Sequence, residues 1–283
     1  MLGKIPAARL ALIEKIVARA TRLDKSQALA GDFLRSFFRG VAEEDLRAHR
    51  PRDLAAAGLA HLDFGRQRAG NRVLVDLAPP LNVDAPTASH RVLLRVVAPD
   101  MPFLVDSIGI IFSQMNIGVH LIVHPVLTVK RDARGVLKSV GSGQQGARDR
   151  GTQAESWQMM EIDRPRDEAS ARELERRVRA ALEDVRRAVA DFRPMLERIR
   201  AVANDLERAK LPVPRSHASE ARALLSWMHD GHFVFLGYRY YRLKRGRSRD
   251  ALVRDGGSGL GILRTQSGRR PPPPIVLTGH LRR

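Results

Sequence analysis

Cysteine is absent, so the chain can form neither disulfides nor thiolate metal sites, and it has no thiol nucleophile. Aromatic residues are few, at 5% of the 283 positions. Long apolar runs are also missing. Glu14, Lys15 and Arg19 interrupt the first amphipathic stretch, leaving neither a secretory h-region nor a run long enough to span a bilayer. These absences fit a reducing, cytoplasmic setting without a membrane partner. The patterns G-x-x-x-x-G-K, G-x-S-x-G and H-E-x-x-H do not occur. GGSGLG at 256–261 lacks the spacing of a dinucleotide fingerprint, and no strand–turn–helix pattern surrounds it, so it reads as a flexible turn.

Acidic residues are outnumbered, 31 against 49 basic, giving a net charge of +18. Nearly all the excess is arginine, since lysine occurs only at 4, 15, 25, 130, 138, 210 and 244. A strongly basic chain raises the question of nucleic acid. The arginines are dispersed among Asp and Glu, however, which describes a solvated mixed surface better than a binding stripe, and no nucleic-acid partner is expected.

Residues 1–77 read as a helical subdomain. Ile5, Leu10, Ile13, Val17 and Leu23 recur at helical spacing. Phe33, Leu34, Phe37 and Phe38 share one face before Gly40, and a further helix runs from Arg52 to about Arg68. Residues 78–89, rich in Pro and small polar residues, form a linker.

From 90 to 193 the pattern changes. Val92, Leu94 and Val96 alternate with Leu93, Arg95 and Val97, a strand apolar on both faces. Asp100 offers an N-cap and Pro102 suits the first turn of the next helix, whose stripe is Phe103/Leu104, Ile108, Ile111/Phe112 and Met115. Gly118, able to take positive φ, ends it. A strand from Val119 to about Lys130 turns back at 131–135, a polar loop covers 141–154, and Trp157–Ile162 forms the next strand. Ser170 and Glu173 make a capping box ahead of Leu174, Val178, Leu182, Val185, Val189 and Phe192, the clearest amphipathic helix here. The order is strand–helix–strand–strand–helix with a final strand owed, as in a split βαβ fold. Residues 194–231 continue as a helical connector, 232–264 begin a second α/β domain with the aromatic strand His232–Leu243, and 265–283 form a basic, Pro-rich, disordered tail.

The loop Asp100-Met101-Pro102-Phe103-Leu104 is the one place where a ligand is expected. A strand-to-helix corner presents free helix N–H groups, which attract carboxylates. His120 and His124 share a strand face but stand about 13 Å apart, too far for one ion without further ligands. His229, Asp230 and His232 read as a helix end and turn. Phe233–Leu243, with three tyrosines between arginines, lacks the basic–Gly–aromatic signature of an RNA-binding sheet.

DMPFLVDS (100–107), VHLIVHPVLTVKRD (119–132), WMHDGHFVFLGYRYYRL (227–243) and SGLGILR (258–264) resemble, in order, the amino-terminal region of the large bacterial NAD-specific glutamate dehydrogenases. The resemblance runs from about Phe33 to Arg264. It implies ACT-type regulatory domains, with Asp100-x-Pro102-x-Leu104 matching a loop that binds amino-acid effectors. It also implies a full-length cytoplasmic homo-oligomer that oxidises L-glutamate to 2-oxoglutarate and ammonia with NAD. The catalytic domain of those enzymes lies far C-terminal, so this chain is expected to carry no catalytic, cofactor or metal residue and to be inactive alone. After Arg264 the family continues, whereas this chain gives four prolines. That predicts a truncated or frameshifted product with Phe233–Leu243 as an exposed apolar edge. The expected class is α+β: a helical N-terminal subdomain, a ferredoxin-like (ACT-type) βαββαβ domain and a partial second α/β domain. The alternative is a basic ferredoxin-like RNA-binding module.

Overall fold

The computed structural model describes residues 6–23, 29–81, 84, 90–142, 151–209, 213–246, 249–264 and 273–277. The architecture is α+β, and the chain divides into two units, Met1–Leu182 and Glu183–Arg283.

In the first unit, helices α1 (Ala7–Leu23), α2 (Ala30–Phe37), α3 (Glu43–Arg47) and α4 (Pro51–Gly65) lead into strand β1 (Leu74–Ala78). Then follow β2 (Arg91–Pro99), α5 (Leu104–Met115), β3 (Val119–Val123), β4 (Val126–Arg131), β5 (Leu137–Ser142), β6 (Thr152–Asp163) and α6 (Glu168–Ala190), which belongs to this unit as far as Leu182. The sheet order is β1-β2-β6-β4-β5, with β3 also on β6, and every pairing is antiparallel. In a βαββαβ sheet the last strand lies at the edge beside the first. Here that edge is occupied from upstream: Leu74–Ala78 pairs with Leu93–Val97. The strand owed after Phe192 is therefore not needed in this sheet. Residues 74–77 belong to the sheet rather than to a separate helical subdomain, and the helices and the sheet form one unit.

The two sheet faces are buried by different helices, as the both-faces-apolar pattern of β2 requires. Leu93, Val97, Trp157 and Met159 join Ile13, Ile16, Phe33, Phe37, Leu54 and Leu62 in one core. The opposite face carries Leu94, Val96, Ala98, Met160 and Ile162, while α5 and α6 bury Ile108, Ile111, Phe112, Leu174, Val178 and Leu182. Close packing needs small residues where helices approach. A Cβ on Gly65 would overlap the Trp157 ring, and one on Gly58 would overlap Leu34.

Several boundaries differ from the sequence expectation. The strand after α5 is split at His124-Pro125, where proline cannot donate to the ladder. α5 ends on Asn116, which takes the left-handed conformation (φ 53°), so Gly118 is not the cap. α6 starts at Glu168, and the Asp167 carboxylate accepts the Ser170 N–H at 2.7 Å. Ser170 is thus inside the helix, and Glu173 pairs with Arg176 and Arg177 instead of closing a capping box. Of the expected linker and the polar loop, 82–83, 85–89 and 143–150 lie outside the described residues.

In the second unit, α7 (Phe192–Arg208) follows a break at Asp191, three residues before Pro194. Then come α8 (Arg215–Trp227), a π turn (Met228–His232), β7 (Gly237–Tyr238), β8 (Tyr241–Lys244), β9 (Ala251–Arg254), β10 (Leu260–Gly261) and β11 (Ile275–Val276). β7 pairs with β10, and β8, β9 and β11 form a three-stranded sheet. The expected single strand His232–Leu243 is two short strands, because the chain changes sheets between Tyr238 and Tyr241. The expected tail falls mostly outside the described residues, but Ile275–Val276 pairs with Ala251–Leu252. Asp191 closes the unit: its carboxylate accepts Gly261 N–H at 2.7 Å and binds Arg264. Gly261, at φ 60°, has Leu236 O where a Cβ would stand.

Candidate functional site

β2, flanked by β1 and β6, aims its C-terminal end into the loop that leads to α5. Its ladder runs one residue past the strand, with Asp100 N–H donating to Ala154 O at 3.0 Å. This fixes the backbone of Asp100 while its side chain stays off the ladder. Burial pushes the Asp100 carboxyl above its ordinary pKa, and Asp100 makes no ion pair among the described residues. Asp100 is not the N-cap. That position is taken by Phe103, at φ 68° and ψ 10°, and no side chain among the described residues caps the helix. Pro102 accordingly lies before the helix, not in its first turn.

A phenylalanine in the left-handed region is uncommon and costs on the order of 1 kcal/mol. Here it turns the chain sharply from strand to helix. Met101 is half-buried, Pro102 and Phe103 are exposed, and Leu104 anchors the turn in the core at 3% exposure. The Ser107 N–H closes the first helical bond on Phe103 O at 3.0 Å. The N–H groups of Leu104, Val105 and Asp106 precede that bond and face no capping side chain. The loop thus combines uncapped helix donors, suited to a carboxylate, with a partly buried carboxyl suited to an ammonium group.

The other residues singled out from the sequence do not gather there. His120 Nε2 lies 2.8 Å from Asp163 Oδ1, whose partner Oδ2 accepts Gly118 N–H. The hydrogen bonds from His120 and from that N–H hold the Asp163 carboxyl below its usual range. No group of three or more metal-ligating side chains occurs among the described residues. His229 meets Asp230 at 3.2 Å and His232 meets the Trp227 carbonyl at 3.0 Å, an arrangement that closes the π turn.

Two buried groups escaped sequence reasoning. Glu155, fully buried, takes Arg68 at 2.8 Å, Arg131 at 2.6 Å, Gln153 at 2.7 Å and the Trp157 indole at 3.0 Å. Burial pushes its carboxyl up, but the hydrogen bonds from Arg131 and Arg68 outweigh that and hold it low. His61 is likewise fully buried, among Phe37, Phe64 and Trp157, and neither ring nitrogen has a hydrogen-bond partner among the described residues. The pairings are long-range, 87 residues for Arg68 with Glu155, and no local spacing signals them.

Residues 33–178 match the family described as glutamate dehydrogenase, ACT1 domain. The chain is similar to the NAD-specific glutamate dehydrogenase of Halomonas elongata, 33% identical over 265 residues, which is 93% of this chain and 16% of that protein. It is 31% identical over 242 residues to the Pseudomonas aeruginosa enzyme of the same name, covering 85% of this chain and 15% of that protein. A third, from Mycobacterium tuberculosis, is 28% identical over 215 residues, covering 75% and 12%. The chain therefore spans less than a fifth of the length of these relatives.

Proposed function

Since the chain belongs to the glutamate dehydrogenase ACT1-domain family, we propose that it acts as a regulatory and assembly segment of an NAD-dependent glutamate dehydrogenase. On this reading the oxidation of L-glutamate to 2-oxoglutarate and ammonia is carried out by other parts of a larger cytoplasmic, homo-oligomeric enzyme. The 100–104 loop senses an amino acid. The supporting observation is an α5 N-terminus that is uncapped, beside a partly buried Asp100 that has no ion pair, among the described residues. The effector's carboxylate meets the helix donors, and its ammonium group meets Asp100.

Calorimetry of the chain against the common amino acids tests this. Saturable heat for at least one is expected, and Asp100→Asn should abolish it. Asp100 caps nothing, so Asp100→Asn should leave thermal stability unchanged or slightly raised, because a desolvated, unpaired carboxyl is itself unfavourable. Absence of heat with every amino acid would remove the sensing role. Separately, the purified chain should yield no NADH from glutamate and NAD. Production of NADH would place chemistry in this chain and overturn the division of labour.

A further inference from the structure

We propose that Arg239, Tyr241 and Arg254 form a binding site for a doubly charged oxyanion, of the phosphate or dicarboxylate class, on one face of the β8–β9 hairpin. Tyr241 stands directly opposite Arg254 in the antiparallel ladder, so the two side chains leave the sheet on the same side. Arg239, in the short link just before β8, reaches the same phenol by a side-chain hydrogen bond. Its Nη2 donates to the Leu263 carbonyl, which fixes the guanidinium in place.

Three features converge on this cluster. Its two guanidiniums face one phenol, and neither makes an ion pair among the described residues. Asp255, the carboxylate adjoining Arg254, is already engaged by Arg242 at 2.9 Å. The Nε–H groups of both Arg239 and Arg254 are buried without an acceptor among the described residues. Elsewhere, arginines such as Arg176, Arg186 and Arg264 are matched to a carboxylate. Buried donors without acceptors are costly, and those on a cation more so. Two unmatched cations on one small face therefore leave a deficit that an oxyanion would fill. Guanidinium forks match phosphate and carboxylate oxygens, and the phenol adds a donor. The Tyr241 hydroxyl already registers this field. Hydrogen bonding from Arg239, with the charges of Arg239 and Arg254, holds the phenol below its ordinary pKa.

That titration supplies the readout. The phenolate absorbance of the intact chain is followed against pH, with Tyr241→Phe subtracted to isolate Tyr241. A bound dianion neutralises the arginine field, so added inorganic phosphate, pyrophosphate or succinate should move the Tyr241 transition to higher pH, and saturably. Phosphate and pyrophosphate acting without succinate assigns a phosphate-bearing ligand; the reverse assigns a dicarboxylate. Arg254→Met should weaken the effect roughly tenfold or more, with Arg254→Lys intermediate because it keeps the charge and loses the fork. Lys244→Met, on the opposite face of β8, should retain the effect. The proposal fails if no probe gives a saturable shift in the wild type. It also fails if folded Arg254→Lys and Lys244→Met respond equally, since that would be general attraction to a basic surface.

Discussion

Within the first unit, a single imidazole sets a limit on the conditions the fold tolerates. His61 is enclosed by aromatic rings with no acceptor for either nitrogen, and burial, with the nearby Arg95 charge, lowers its pKa to about 3. The unfolded chain takes up this proton near the ordinary histidine value, whereas the folded chain refuses it. The contribution of His61 to stability is therefore complete above about pH 6.5 and is lost progressively as pH falls toward 3. At pH 5.5 the loss should be about 1.4 kcal/mol. His61→Phe should flatten this limb of a stability–pH curve measured by urea unfolding between pH 7 and 5. Glu155 is the opposite case, a charge the interior requires. Glu155→Gln leaves Arg68 and Arg131 buried with no counter-charge and should cost about 3–5 kcal/mol, read as a lowered urea midpoint. Neither residue was legible in the sequence, where His61 is one of several apolar-flanked positions and Glu155 one acid in a polar stretch. Their roles arise from partners that only the tertiary fold supplies.

The secondary-structure elements were more legible than their ends. Leu174, Val178 and Leu182 announced α6, and all three are completely buried. Its cap was misplaced by three residues because Asp167 outcompetes Ser170 for the same N–H groups, a carboxylate being the stronger acceptor. At α5 the misreading went further. An aspartate and a proline ahead of an apolar stripe look like a capped start, yet the turn is made by Phe103 in a backbone region that side chains avoid. Two substitutions test that conformation. Phe103→Gly should be neutral or stabilising by up to about 1 kcal/mol, and Phe103→Val should destabilise by about 1–2 kcal/mol, because β-branching is least tolerated at positive φ. Equal urea midpoints for both variants would contradict the left-handed turn. Residues 100–104 were legible in the sequence as a strand-to-helix corner. The absence of a cap, on which the sensing proposal rests, was not visible there.

For the whole molecule, the sequence conveyed the class and the order of elements but not which strand fills which edge. The alternation that announced β2 carries no information about its neighbours, and Leu74–Ala78, only five residues long, was absorbed into a helical reading. In the second unit Leu224, Trp227, Val234, Leu236 and Leu243 are each about half exposed or more. Large apolar side chains left open in this number bind hydrophobic dyes and favour association. The chain should enhance the fluorescence of an anilinonaphthalene dye at neutral pH in its native state. Leu236→Ser combined with Val234→Thr should reduce that signal without lowering the unfolding midpoint of the first unit. A native chain indifferent to the dye would mean these side chains are covered in solution.

The upstream position of β1 also bears on how the protein is made. In a sheet whose edge is filled by its last strand, the central strand waits on the ribosome with open hydrogen-bonding groups until the end of the domain is translated. Here β1 has been synthesised before β2 emerges, and the two are joined across only twelve intervening residues. Domains fold from the amino terminus as they are synthesised, and unpaired edges are what make nascent chains stick to one another. The order of elements along the gene thus gives the newborn β2 a partner on that side from the moment it leaves the exit tunnel.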